Sequence, residues 1–323
     1  DYSPRLSELA SAAIDSRNTW FELVESKVEF EPQTFLNAIG SLPYRQELME
    51  ADIATISHQI DTVVFDYYDI SPEERSRVTQ DFPARHGGYP HVTNVGTIPE
   101  TNDHRNRVPR EEYDSEAYEK LLEEIEVRAD EPVNEVASAL EVSPYTVAIA
   151  RQKHDLYSEA ARENAAARIV SYLLGELFGR WTAIPDLDRV DDGILLFEAS
   201  QGKGIEARLR DAMELAVEDP YELESRLTRD LGKSPSDWLL DTFFRYQHNS
   251  DYSRRGQRVP IYWHLESETG AFSCYLYYHA IDADTFPRLR GQYLDARLDQ
   301  LTQRLDTLQA TPSDELEPNE RRE

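Results

Sequence analysis

The stretch RVPIYWHLESETGAFSCYLYYHAID, Arg258–Asp282, is the most aromatic run in an acidic chain. Its halves, Pro260–Glu266 and Ala271–Ile281, read as strands around SETG, a glycine-containing loop suited to a β-hairpin. Such a run can be an aromatic ligand platform, a sheet edge that meets nucleic acid, or the core of a hairpin. Aromatic and β-branched residues on both faces suit a hairpin covered by helices. The surrounding sequence therefore has to supply those helices.

It does so on both sides. After the hairpin, Asp284–Gln309 reads as a helix in which Leu294, Leu298, Leu301, Leu305 and Leu308 recur at spacings of 4, 3, 4 and 3. Far upstream, Met49, Ile53, Ile56, Ile60 and Val63 repeat the same spacing within a helical region running from Pro4 to about Ile70. Two such stripes can pair and close the chain into one unit. SPEE at Ser71–Glu74 starts a further helix, with Ser71 as N-cap and Pro72 in its first position. Leu156–Ile184 is a strongly apolar helix ending near Gly179, and DDGILLF at Asp191–Phe197 is a short strand or extended piece. Gly204–Trp238 reads as two amphipathic helices split near Pro220.

The expected fold class is therefore mainly α with a small β-hairpin. Its segments are a helical region (1–80), a loop insertion with an acidic helix (81–131), a helical region containing a helix-turn-helix-like segment (132–250), the hairpin with its long helix (251–310), and a disordered tail (311–323).

Charge narrows the functional classes. Sixty-two acidic residues against 34 basic ones give a net charge of −28, and only 5 of the 34 are lysines. Abundant short carboxylates with almost no lysine fit a halophilic protein, because concentrated salt screens its self-repulsion. The surface excludes a general DNA-coating role, since affinity for a polyanion comes largely from Lys and Arg on phosphates. A local basic face remains open. The single cysteine, Cys274, forms no internal disulfide and rules out a multi-cysteine zinc site. No apolar run approaches a membrane span and no signal peptide precedes the first helix, so the expectation is a soluble, cytoplasmic protein. The chain opens at Asp1, which suggests that the natural amino terminus lies upstream.

Three places concentrate positive charge. The segment Asp81–Arg110 is rich in Gly, Pro, Asn and His and carries Arg105 and Arg107; it reads as a DNA-facing loop or a solvated excursion. Val133–Lys153 has helix-turn-helix spacing, and its second helix carries Arg151 and Lys153. Glu141 stands where the turn prefers glycine, so an ordinary helical hairpin is the alternative. Arg245, Arg254, Arg255 and Arg258 form the third cluster, immediately before the first strand.

Catalytic signatures are missing. The chain has no Gly-rich phosphate loop, no H-E-x-x-H and no G-x-S-x-G. Cys274 falls inside an expected strand as a small hydrophobe rather than a nucleophile. His86 and His91 lack an acidic or cysteine partner, and Asp191-Asp192-Gly193 reads as a turn rather than a metal loop.

Three blocks, in order, carry a resemblance. IDTVVFDYYDISPEE (Ile60–Glu74) resembles a helix that follows the catalytic domain in type IIG restriction–modification enzymes. ENAAARIVSYLLGELFGRW (Glu163–Trp181) with DDGILLF is similar to the SYxxGxxFGRY…DDGI region of the PglX adenine-specific DNA methyltransferases of BREX phage-defence systems. RVPIYWHLESETGAFSCYLYYHAIDADTFPRLRGQYL (Arg258–Leu294) is similar to the KRPIYW hairpin and following helix of that family, with Val259 in place of its arginine. The Asn-Pro-Pro-Tyr motif that receives a flipped adenine is absent. The resemblance thus implies the carboxy-terminal, DNA-recognition and scaffold part of an adenine-N6 methyltransferase. S-adenosylmethionine and the catalytic methyltransferase domain would then lie elsewhere, in cis or in trans.

On that reading the partner is double-stranded DNA. The contact candidates are Arg254, Arg255, Arg258, Arg105, Arg107, Arg151 and Lys153, while Tyr262, Trp263, Tyr275, Tyr277 and Tyr278 wedge the hairpin onto helices. The first alternative is a non-catalytic interaction subunit that holds other defence-system proteins through its heptad helices. A free-standing helix-turn-helix regulator is the second.

Overall fold

Short polar side chains and prolines set where the helices begin. The computed structural model describes residues 3–25, 27, 29–42, 45, 49, 56, 60–61, 63–81, 159–198, 203–249 and 262–310. The helix-turn-helix-like segment, the acidic helix, the loop after Asp81 and the tail all lie outside those residues. The chain divides into two units, Asp1–Ala166 and Ala167–Glu323.

In the first unit, α1 (Ser3–Phe21) and α2 (Pro32–Ala38) precede a 3-10 turn at Ile39–Ser41, and α3 spans Pro72–Asp81. Leu9, Trp20, Phe35, Ile39 and Leu42 are buried, as are Met49 and Ile56 of the amino-terminal stripe. The expected cap of α3 is a reciprocal box: Ser71 N–H donates to Glu74 Oε2 at 3.0 Å, and Glu74 N–H donates to Ser71 Oγ at 3.4 Å. The Ser71 hydroxyl and amide hold the Glu74 carboxyl below the usual carboxylate range.

The second unit is organised around a sheet. It begins within α4 (Glu159–Leu177) and continues through β1 (Ile194–Leu196), α5 (Ile205–Ala216), α6 (Pro220–Leu231), α7 (Pro235–Asp241) and α8 (Phe243–Asn249). Asp219 and Ser234 cap α6 and α7 by accepting from Glu222 N–H and Asp237 N–H, each ahead of a proline in the first turn. Leu223, Leu227 and Leu231 form the buried stripe of α6, which stops at Gly232 in the left-handed region.

The hairpin is present, with β2 at Tyr262–Glu266 and β3 at Ser273–Tyr277. The sheet has a third strand, because β1 pairs antiparallel with β3 to give the order β1-β3-β2. Leu195 lies opposite Tyr275, which itself lies opposite His264. The sequence segments 132–250 and 251–310 therefore share one sheet. A long helix follows, made of α9 (Thr285–Arg288), a π-helical stretch at Leu289–Leu294 and α10 (Asp295–Ala310). No described helix is long and apolar enough to cross a membrane.

Alternation divides the strand residues between two faces. Ile194, Leu196, Cys274 and Leu276 form one cluster with Leu289, and Leu265, Phe272, Tyr293 and Leu294 pack against it. The carboxy-terminal helix thus covers that face through its first turns. Arg297 then donates to the Ala271 carbonyl at 3.0 Å and to Glu198 at 2.6 Å. Further along, Leu298, Leu301 and Leu305 are exposed.

Burial pushes the Cys274 thiol up to about 12. A raised folded value means that its stabilising effect is full below the unfolded thiol value and declines as pH rises above it. Native protein at pH 8 should show no reaction of this thiol with an aromatic disulfide reagent over minutes. Unfolded protein should react stoichiometrically, and rapid native labelling would place Cys274 outside the core.

Candidate nucleic-acid interface

The apolar helix α4 carries one carboxylate into the core. Glu176 is fully buried, and burying a charge without partners is costly. Its Oε1 accepts from the Tyr172 hydroxyl at 2.8 Å and from Ala183 N–H at 2.9 Å. Its Oε2 accepts from Arg189 Nη2 at 2.8 Å and from Ile184 N–H at 3.4 Å. Arg189 also donates to the Ile184 carbonyl at 2.7 Å, and Val190 N–H donates to the Leu177 carbonyl at 2.8 Å. The chain after Gly179, which has φ +67°, is thereby folded back along the end of α4.

This fold-back delivers Asp191-Asp192-Gly193 to the start of β1. Asp192 accepts from Ile194 N–H at 3.0 Å and from the Tyr293 hydroxyl at 2.5 Å. Burial pushes the Tyr293 hydroxyl up to about 12, and Asp192 reinforces that shift. Gly193 has φ +71°, and a Cβ there would lie 2.6 Å from the Ala280 Cβ. The turn joins β1 to the 3-10 turn at Tyr278–Ala280, as a turn entering a strand should.

The second sheet face is aromatic. Phe178 stacks on Tyr262 at 5.3 Å, and Phe243 meets Tyr262 at 5.8 Å and Tyr275 at 5.7 Å. The Tyr275 hydroxyl donates to the Leu239 carbonyl at 2.7 Å, and burial raises its pKa. His264 Nε2 lies 2.7 Å from Ser273 Oγ, and burial lowers the imidazole below its ordinary value. Tyr262 and Tyr275 are therefore core residues, as expected.

Trp263 and Tyr278 are not. They remain 39 % and 47 % exposed, with ring centroids 5.8 Å apart. The reason is geometric. Trp263 lies opposite Leu276, on the face that the carboxy-terminal helix covers, but on the edge strand and only partly covered, and Tyr278 lies just beyond the end of β3. Alternation along YWH gave no signal of this exposure, since it puts Trp263 on the face of Leu265 and Leu276; the turn that exposes Tyr278 had none either.

Arg254, Arg255, Arg258, Arg105, Arg107, Arg151 and Lys153 all lie outside the described residues. Arg245, of the same basic cluster as Arg254, is exposed on α8. In sequence, Arg254, Arg255 and Arg258 precede β2. No family model matches this chain, and neither a curated protein nor a solved structure is significantly similar to it.

Removing the Glu176 carboxylate should leave Arg189 and two backbone amides without their acceptor. Glu176→Ala should cost about 3 kcal/mol in denaturant unfolding. A loss within about 0.5 kcal/mol would show that the fold-back is held by other contacts.

Proposed function

We propose that this chain is the DNA-recognition and scaffold part of a site-specific adenine-N6 DNA methyltransferase of a phage-defence or restriction–modification system. The S-adenosylmethionine-binding catalytic domain would act with it in cis or as a separate subunit. The observation that carries this reading is the order of three blocks: Ile60–Glu74, then Glu163–Trp181 with DDGILLF, then Arg258–Leu294.

Packing supports it, because the later blocks are each other's partners. Phe178 of one block stacks on Tyr262 of the next, and Leu195 of DDGILLF pairs with Tyr275. Segments separated by scores of residues thus form one structural piece, which makes their shared order in a sequence a property of one fold. Charge distribution supports it as well. Between Asp251 and Glu266 the sequence has three arginines and no carboxylate, in a chain of net charge −28. Phosphate contact there would be local rather than a property of the whole surface.

A second reading rests on the exposed Leu298, Leu301 and Leu305 of α10. A heptad-spaced stripe of this kind suits an interaction subunit that holds another protein. That reading predicts stable co-purification with a partner and no affinity for DNA.

The test is duplex binding by fluorescence anisotropy across a potassium chloride series. Replacing Arg254, Arg255 and Arg258 together by Ala should weaken binding at least tenfold. It should also reduce the slope of log affinity against log salt by about 0.9 for each lost phosphate contact. Unchanged affinity would remove these arginines from the interface, and absence of any duplex binding by the parent chain would favour the interaction subunit.

A further inference from the structure

The carboxy-terminal helix leaves the sheet with its apolar stripe still in water. Leu294, at the end of the π-helical stretch, packs against the sheet cluster. Arg297 ties the next turn to the Ala271 carbonyl and to Glu198. Beyond that tie Leu298, Leu301 and Leu305 are 59 %, 36 % and 53 % exposed, and Leu308 continues the row, partly buried. Their spacing of 3, 4 and 3 averages 3.5 residues per turn, the period that keeps one seam against a second helix. In heptad terms Leu298 and Leu305 occupy position a, and Leu301 and Leu308 occupy position d.

The positions beside the seam decide which helix fits it. Arg297 and Arg304 stand at position g, and Thr302 and Gln309 at position e. No carboxylate therefore borders the seam from Arg297 to Gln309, in a chain of net charge −28. Asp299 and Asp306 both fall at the outer position b. In a parallel pair each g residue meets the e residue five places on in the other helix. Arg297 would then meet a second Thr302, and Arg304 a second Gln309, with no like charges opposed. An antiparallel pair sets g against g and opposes Arg304 to its own copy near the middle of the seam. The flanks of α10 thus accept a second α10 in one orientation only.

Residues 311–323 hold one leucine among seven charged residues, so they bring no apolar stripe of their own to this face. Length is the usual objection to so short a seam, because two free helices must first nucleate. Here the sheet already holds the first turns of the helix, so α10 is formed before a partner arrives.

We propose that α10 pairs in parallel with α10 of a second copy of this chain, through Leu298, Leu301, Leu305 and Leu308. The pairing uses neither the arginine cluster nor the sheet, and it stands whether or not the chain binds DNA. Two chains of charge −28 repel each other, and salt screens that repulsion. Association therefore tightens as salt rises, the opposite sign to phosphate binding.

Sedimentation equilibrium of the full chain across a potassium chloride series tests the pairing. The parent chain should form a concentration-dependent dimer that tightens toward molar salt. Leu298→Gln combined with Leu305→Gln should weaken the dimer about tenfold or more. Both side chains are exposed, so the denaturant midpoint of dilute protein should not move. Gln309→Glu should tighten the dimer about twofold, most clearly at low salt, by giving Arg304 of the other helix a carboxylate. Added negative charge on its own would do the reverse. Leu308→Cys should form a disulfide-linked dimer on mild oxidation, since equal d positions face each other only in a parallel pair. The native Cys274 is buried and does not compete.

A parent chain that stays monomeric at every salt concentration overturns the proposal. So does a dimer that the paired glutamine substitutions leave intact. A dimer that Gln309→Glu weakens and Leu308→Cys fails to cross-link overturns the parallel arrangement. None of these outcomes bears on duplex binding, which the anisotropy series reads separately.

Discussion

Glu176 is a carboxylate in a place where a carboxylate cannot stay unless it is fully supplied with donors. The Tyr172 hydroxyl comes from the same helix, while Ala183 N–H, Ile184 N–H and Arg189 come from the chain that has turned back on it. The Arg189 side chain keeps 23 % of its surface in water and so loses less hydration than the carboxylate it neutralises. The group thus fixes a path more than it adds attraction. With the chain after Gly179 held to α4, β1 is brought to β3 and a hairpin becomes a three-stranded sheet.

That sheet sorts the aromatic residues by role. Tyr262 and Tyr275 face the rings of Phe178 and Phe243 and are sealed in the core. Trp263 and Tyr278 remain partly exposed, one on the edge strand and the other in the short turn after β3. Both faces of the hairpin are covered, one by the carboxy-terminal helix and the other by the rings of Phe178 and Phe243. The basic residues Arg254, Arg255 and Arg258 precede β2 in the sequence.

Much of this was legible before the coordinates. Period-two alternation and SETG identify the hairpin, the serine-proline pair marks the cap at Ser71, and the split at Pro220 separates α5 from α6. The fate of the leucine repeat was not legible, because spacing reports a common face and not what covers it. Leu294 packs on the sheet while Leu298, Leu301 and Leu305 remain in water. Pairing of β1 with β3 was equally hidden, since it depends on the buried clasp at Glu176. A glutamate in an apolar helix reads as an interruption until its donors are seen. The arginine cluster was legible in the sequence, whereas the exposure of Trp263 and Tyr278 was not, because spacing does not show where cover ends.

Hydrogen–deuterium exchange of the full chain in molar potassium chloride, with and without duplex DNA, tests the central claim most directly. The account predicts slowed exchange at 252–265, with α5 and α6 unchanged. Protection confined to other segments, or no change anywhere at saturating DNA, would contradict it.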